Sequence, residues 1–193
     1  MSNASNNMWI DKSVGSTVNV RVLAYSALLT ALSVLLASLY PIPLFTDFLL
    51  YEPGDVPIIL GGITLGLGPG LLITVVTAVV MMLITSHGGV IGVIMHIVST
   101  GTMVVAVTLV YRSKPSTKRY FAGAITATIA TTAVMVLWNL ILTPLYLGAP
   151  REAVVKLLVP AIIPFNLAKA GVNTLLSYAV FRSIAPYLAT NRK

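Results

Sequence analysis

From Val20 to Pro186 the chain is a succession of long apolar runs. Lys169 is the only Lys, Arg, Asp or Glu well inside any of them. Of 193 residues, 57% are hydrophobic and 9% charged, where a soluble domain carries about 25% charged residues. Mean hydropathy is +0.94. The unbroken apolar runs exclude a transmembrane β-barrel, whose strands alternate apolar and polar residues. An all-α integral membrane protein is expected, with six transmembrane helices in one compact bundle. No cysteine is present, so thiolate and disulfide chemistry are absent.

Lys169 sits in the stretch Pro164-Phe165-Asn166-Leu167-Ala168-Lys169-Ala170-Gly171. A cation at the bilayer centre costs about 2.5–3.5 kcal/mol on insertion scales. If this helix starts near Pro160, nine residues of rise place Lys169 about 14 Å deep, near the middle of a core about 30 Å thick. Asn166, Lys169 and Asn173 fall at i, i+3 and i+7 and share one helix face. This face is expected to line a buried polar pocket for a small molecule. The alternative is a structural lysine that snorkels or donates to backbone carbonyls.

Residues 1–19 are expected to form a leader and cytoplasmic tail, with 1–7 vector-derived. Residues 20–186 form the membrane domain, and 187–193 a basic cytoplasmic tail. The first helix, from about Val20 to Tyr40, carries Ala24, Ala27 and Ala31 four and three apart, a shallow stripe that another helix can approach. Pro41-Ile42-Pro43 ends it. The loop that follows mixes Phe45, Phe48, Leu49, Leu50 and Tyr51 with Thr46, Asp47 and Glu52. It is expected to fold back as a lid or to anchor at the interface. Asp55-Val56-Pro57 begins a second helix, with Asp55 as cap and Pro57 in the first turn. Ending near Leu67, this helix is too short to span unaided. Gly68-Pro69-Gly70 is expected to be a tight turn. The glycines at 66, 68 and 70 do not form a phosphate loop, because no strand precedes them and no Lys-Ser/Thr follows.

Helices are expected at about 71–85, 90–111 and 120–142, then an interfacial segment at 151–158, then a helix from about 160 to 186. His96 lies in the fourth, with no second ligand at metal spacing; packing or hydrogen bonding is its expected role. Trp138-Asn139 places an amide near the end of the fifth. With the N-terminus cytoplasmic, the inside segments hold Lys12, Arg21, Arg112, Lys114, Lys118, Arg119, Arg182, Arg192 and Lys193, and the outside only Arg151 and Lys156. This is the positive-inside pattern, so both termini are expected in the cytoplasm. The basic residues are topology signals and not a nucleic-acid surface. Asp47, Glu52 and Asp55 fall outside, and Asn139, Asn166 and Lys169 lie in the outer half beneath the aromatic loop.

Asp55-Val56-Pro57 with Gly61-Gly62 and Gly66, then Gly88-Gly89-Val90-Ile91-Gly92, Trp138-Asn139 with Pro144, and Pro164-Phe165-Asn166-Leu167-Ala168-Lys169, in that order, resemble the riboflavin-specific S components of energy-coupling factor (ECF) transporters. The resemblance covers Val20 to Arg182. It implies a bacterial plasma-membrane protein that binds riboflavin or FMN as cargo and has no cofactor or catalytic residue of its own. It implies partners: a membrane coupling subunit and two cytoplasmic ATPases. It implies flavin contacts from Asn139, Asn166 and Lys169, a capping segment at Leu44, Phe45 and Thr46, and docking through Ala27 and Ala31. An S component for a different vitamin fits the same residues. An intramembrane enzyme would need paired carboxylates, a metal set or a nucleophile with its base, and a channel a ring of charge or a repeated filter; neither pattern is evident.

Overall fold

A computed structural model describes residues 19–39, 41–85 and 88–190, the last four without their side chains. The leader at 1–7, Lys12, Ser86-His87, Arg192 and Lys193 lie outside the described residues. Seven helices follow in order: α1 (Val20–Leu39), α2 (Asp55–Leu65), α3 (Leu67–Thr85), α4 (Gly89–Ser113), α5 (Thr117–Leu147), α6 (Arg151–Leu157) and α7 (Ile163–Thr190). A π-helical turn at Leu158–Ile162 joins α6 to α7, so Arg151 to Pro186 runs on as one apolar rod. Pro160 lies inside that turn and has no N–H to give the α-helical ladder, which is why the winding loosens there. The segment at 151–158 is therefore the first two turns of the last rod and not a separate piece. Among the described residues, five helical segments are long and apolar enough to cross a membrane; α2, with 11 residues, is a shorter apolar helix.

Two further boundaries differ from expectation. Gly68-Pro69-Gly70 is not a turn but the start of α3, where a proline loses no helical hydrogen bond. The reversal is made one step earlier by Gly66, whose φ of 118° is open only to glycine. Helix α5 continues past Pro144 to Leu147 and ends on Gly148 in the left-handed conformation, with the Gly148 N–H donating to the Pro144 carbonyl.

Helix α2 is enclosed by α1, α3, α4 and α7. Nine of its 11 residues are buried, from Asp55 to Ile63. Glycine lets the neighbours come this close. A Cβ on Gly61 would strike the Ile73 side chain, one on Gly62 would overlap the Thr108 hydroxyl, and one on Gly70 would lie 2.7 Å from the Gly62 Cα. Ser33 of α1 donates to the Gly54 carbonyl at 2.6 Å, pinning the start of α2. At the other end, the Arg112 guanidinium donates to the Ile63 carbonyl at 3.2 Å, one of the orphan acceptors of a helix C-terminus. Around α2 lies the main core, with Ile58, Ile59, Ile73, Met103, Val107 and Tyr120. The Tyr120 hydroxyl donates to the Thr174 carbonyl at 2.9 Å.

The Leu44–Tyr51 loop is built on a short antiparallel pair, β1 (Ile42–Pro43) and β2 (Leu50–Tyr51). Of the two expectations, folding back is the one observed. Leu49 buries itself against Val154, Ala161, Ile162 and Phe165, and Leu44, Phe48 and Tyr51 pack on the same cluster.

Gly70→Ala should lower the thermal midpoint of the detergent-solubilised protein by an amount corresponding to about 1–3 kcal/mol, the usual cost of overpacking. Gly68→Ala meets nothing within 4 Å, so it should be neutral or slightly stabilising. Equal effects at the two positions would contradict the α2–α3 packing described.

Candidate functional site

Below the hairpin lies a cavity of about 350 Å³, within the range of about 300–1,000 Å³ typical of small-molecule sites. Its walls are largely apolar: Ala78, Met81 and Met82 of α3, Ile91, Val93 and Met95 of α4, Met135 of α5 and Phe165 of α7. Its polar side chains include Asn139, Asn166, Lys169, His96, Ser99 and Glu52. Flexible thioethers make this wall adaptable in shape.

The three expected polar contacts converge here from two helices. Asn139 is buried on α5; it donates to the Met135 carbonyl at 2.7 Å and accepts from Thr143 at 2.8 Å. Asn166 is buried on α7 and donates to the Ile162 carbonyl at 2.8 Å. Its Oδ1 has no partner within the protein, and neither has His96 Nε2. Buried polar atoms are nearly always paired; among the described residues these two are unpaired atoms of side chains that line the cavity.

Lys169 neither snorkels nor donates to a backbone carbonyl. It is 8% exposed, and its Nζ lies 3.5 Å from Asp55 Oδ2. Asp55 is the member of this cluster that the sequence expectation misses. Its expected capping role is not observed: Gly54 occupies the cap position, no side-chain capping bond forms, and Asp55 is fully buried. Its Oδ1 accepts from Thr100 at 2.7 Å and its Oδ2 from Asn173 Nδ2 at 3.0 Å. His96 Nε2 stands 4.0 Å from Oδ1, too far for a hydrogen bond. The available signal was general: a deep ammonium requires a counter-ion, but both Asp55 and Glu152 stand in the opening turn of an apolar helix.

The shared helix face divides in two. Asn166 and Lys169 face the cavity, while Asn173 turns to the hairpin and α2. Asn173 Nδ2 also donates to the Glu52 carbonyl at 3.3 Å, and its Oδ1 accepts from the Tyr51 hydroxyl at 3.0 Å. Burial, with Asp55 second, raises the Tyr51 pKa, and Lys169 opposes this. The phenol therefore remains a donor through the physiological range.

Of the loop residues expected to cap the site, Leu44 packs under the hairpin. Phe45, with φ of 68° and 57% exposed, and Thr46 line a second, open depression beside Tyr146 and Leu147. The main cavity takes its roof from Asp47, Phe48, Leu49 and Leu50. Ala27 and Ala31 lie on the exposed face of α1; the buried stripe of that helix is Ser26, Ser33 and Ala37.

The family model for the ECF transporter substrate-specific component matches residues 21–181. The chain belongs to the substrate-specific (S) components of ECF transporters. It is 35% identical over 153 residues to the riboflavin transporter RibU of Lactococcus lactis subsp. cremoris, covering 76% of this chain and 74% of that protein. It is 29% identical over 176 residues to RibU of Staphylococcus aureus, covering 88% and 93%. A solved S component of a bacterial ECF transporter superposes with a TM-score of 0.78 at 28% identity, covering 89% of this chain and 99% of that one. This S component is thus a multi-pass membrane protein with a transport role, not an enzyme.

Removing one member of a buried ion pair costs about 3–5 kcal/mol, because the other charge is stranded. Lys169→Met alone should therefore destabilise the ligand-free protein strongly. Adding Asp55→Asn should recover most of the loss. Thermal unfolding of the two variants checks this; a double variant less stable than Lys169→Met would contradict the pairing.

Proposed function

We propose that this S component captures riboflavin, or FMN as the closely related alternative, from outside the cell. The observation that carries the reading is the convergence of Asn139, Asn166 and Lys169 on one methionine-lined cavity, with the Asn166 carboxamide oxygen unpartnered. A flavin is a flat apolar ring system edged by carbonyls and ring nitrogens. It needs apolar walls and a few placed polar groups. Lysine supplies donors only, and a carboxamide supplies both a donor and an acceptor. The curated relatives carrying the riboflavin name support the same ligand.

The protein sits in the bacterial plasma membrane, with α2 counted as a sixth, protein-covered membrane helix and both termini inside. Arg21, Arg112, Lys114, Lys118, Arg119 and Arg182 mark the inner end. The hairpin closes over the bound flavin from the outer side, with Asp47 to Leu50 as the roof, Leu44 packed behind them and Phe45 and Thr46 at the neighbouring depression. The chain has no nucleotide-binding motif, so energy comes from partners: a membrane coupling subunit and two cytoplasmic ATPases. The uncovered Ala27/Ala31 stripe is the docking surface, since small side chains allow a helix to approach closely.

Mass spectrometry of the ligand released from purified protein is the deciding measurement. A flavin is expected, and the preparation should be yellow. Release of a different vitamin would reject the substrate while leaving the family intact. Asn166→Leu should weaken riboflavin binding about tenfold, corresponding to one lost polar contact of about 1–1.5 kcal/mol. Quenching of flavin fluorescence reads this directly; unchanged affinity would remove Asn166 from the site.

A further inference from the structure

One carboxylate stands between the cavity and its roof. Asp55 Oδ2 holds the Lys169 ammonium at 3.5 Å and the Asn173 carboxamide at 3.0 Å. Asn173 in turn holds the hairpin at two points, the Glu52 carbonyl and the Tyr51 hydroxyl. Thr100 fixes the other oxygen at 2.7 Å. Asp55 does not line the cavity; it reaches the ligand space only through Lys169. The two bonds to the carboxylate are buried, where water cannot substitute for a lost partner, and the two to the hairpin are part-buried.

We infer that Asp55 is a positioning residue for substrate capture: it aims Lys169 into the cavity and, through Asn173, latches the hairpin shut at the same point. The Lys169 half of this rests on the function proposed above; the hairpin half does not. The device has a physical consequence. A substrate acceptor that draws the ammonium toward the cavity shares it with Asp55, and the carboxylate then leans more on Asn173. Occupancy of the cavity and closure of the roof are thereby tied to one group.

The test uses the full chain in lipid nanodiscs. Hydrogen–deuterium exchange at hairpin residues 44–51 is measured without ligand. Tyr51→Phe deletes only the hydroxyl and should raise exchange there about fivefold, as one lost hydrogen bond predicts. Unchanged hairpin exchange overturns the latch. Riboflavin affinity is then measured for Asp55→Asn, Lys169→Met and the double variant. Each single change should weaken binding about tenfold or more, and the double should be no weaker than Lys169→Met alone, as for residues acting through one contact. Losses that multiply overturn the positioning role. Should Asp55→Asn fail to fold, Thr100→Val takes its place; it keeps the charge and frees one carboxylate oxygen. Its loss of about threefold to tenfold should vanish in the Lys169→Met background, and persistence there overturns the role equally. If Lys169→Met by itself leaves affinity unchanged, the substrate assignment of Lys169 fails and Asp55 loses its positioning role with it, while hairpin exchange still decides the latch.

Discussion

The arrangement depends on a charge pair that has no water to fall back on. Asp55 is fully buried and Lys169 nearly so. Removing either would strand the other in a low-dielectric interior at a cost of several kcal/mol. The pair therefore constrains the helices that carry it. Helix α7 must turn one face to the start of α2, and α4 must bring Thr100 to the same place. Asn173, which might have been a third cavity contact, is taken up in satisfying the carboxylate. The cavity is what remains on the other side of Lys169.

The shortness of α2 makes this possible. Eleven residues rise about 16 Å, roughly half of a hydrocarbon core. Its C-terminal end is tied to Arg112, at the basic end of the bundle. Its N-terminal end, bearing Asp55, therefore stops partway along the bundle. A full-length helix here would fill the space above Asp55 with side chains. Instead the hairpin and the cavity occupy it. Burying so short a helix requires neighbours that approach its backbone, which Gly61, Gly62 and Gly70 permit. Close packing on one side of the bundle thus leaves an open volume on the other.

Much of this was legible in the sequence. Hydropathy gave the long helices, and the isolated Lys169 with Asn166 one turn before it gave a polar face that does line a cavity. The aromatic-rich loop gave a segment that folds back. Asp55 was not legible, because Asp-Val-Pro is also the signature of an ordinary capped helix start, and a local pattern carries no information about a partner 114 positions later in the chain. The division of Asn173 from Asn166 was hidden for the same reason: periodicity shows which residues share a face, not which neighbour each will meet. Gly68-Pro69-Gly70 misled in another way. Its composition suits a turn, yet a proline in the first turn of a helix costs nothing, and Gly66 had already reversed the chain.

A buried ion pair is a poor way to stabilise a bundle. Well-packed apolar residues in its place are often as stable or more so, and here the surrounding core is already dense with isoleucine, valine and methionine. Stability therefore does not explain the pair. What an apolar substitute could not provide is a donor at the cavity wall that is held from behind. Lys169 has its charge balanced by Asp55, so its remaining N–H bonds can be offered to a ligand without an empty cavity forcing the side chain elsewhere. Asn166 complements it by leaving an acceptor unpaired one turn away. The result is a buried ammonium with a fixed counter-ion, beside an unpaired carboxamide oxygen and between apolar walls, and the proposed flavin contacts rest on that arrangement.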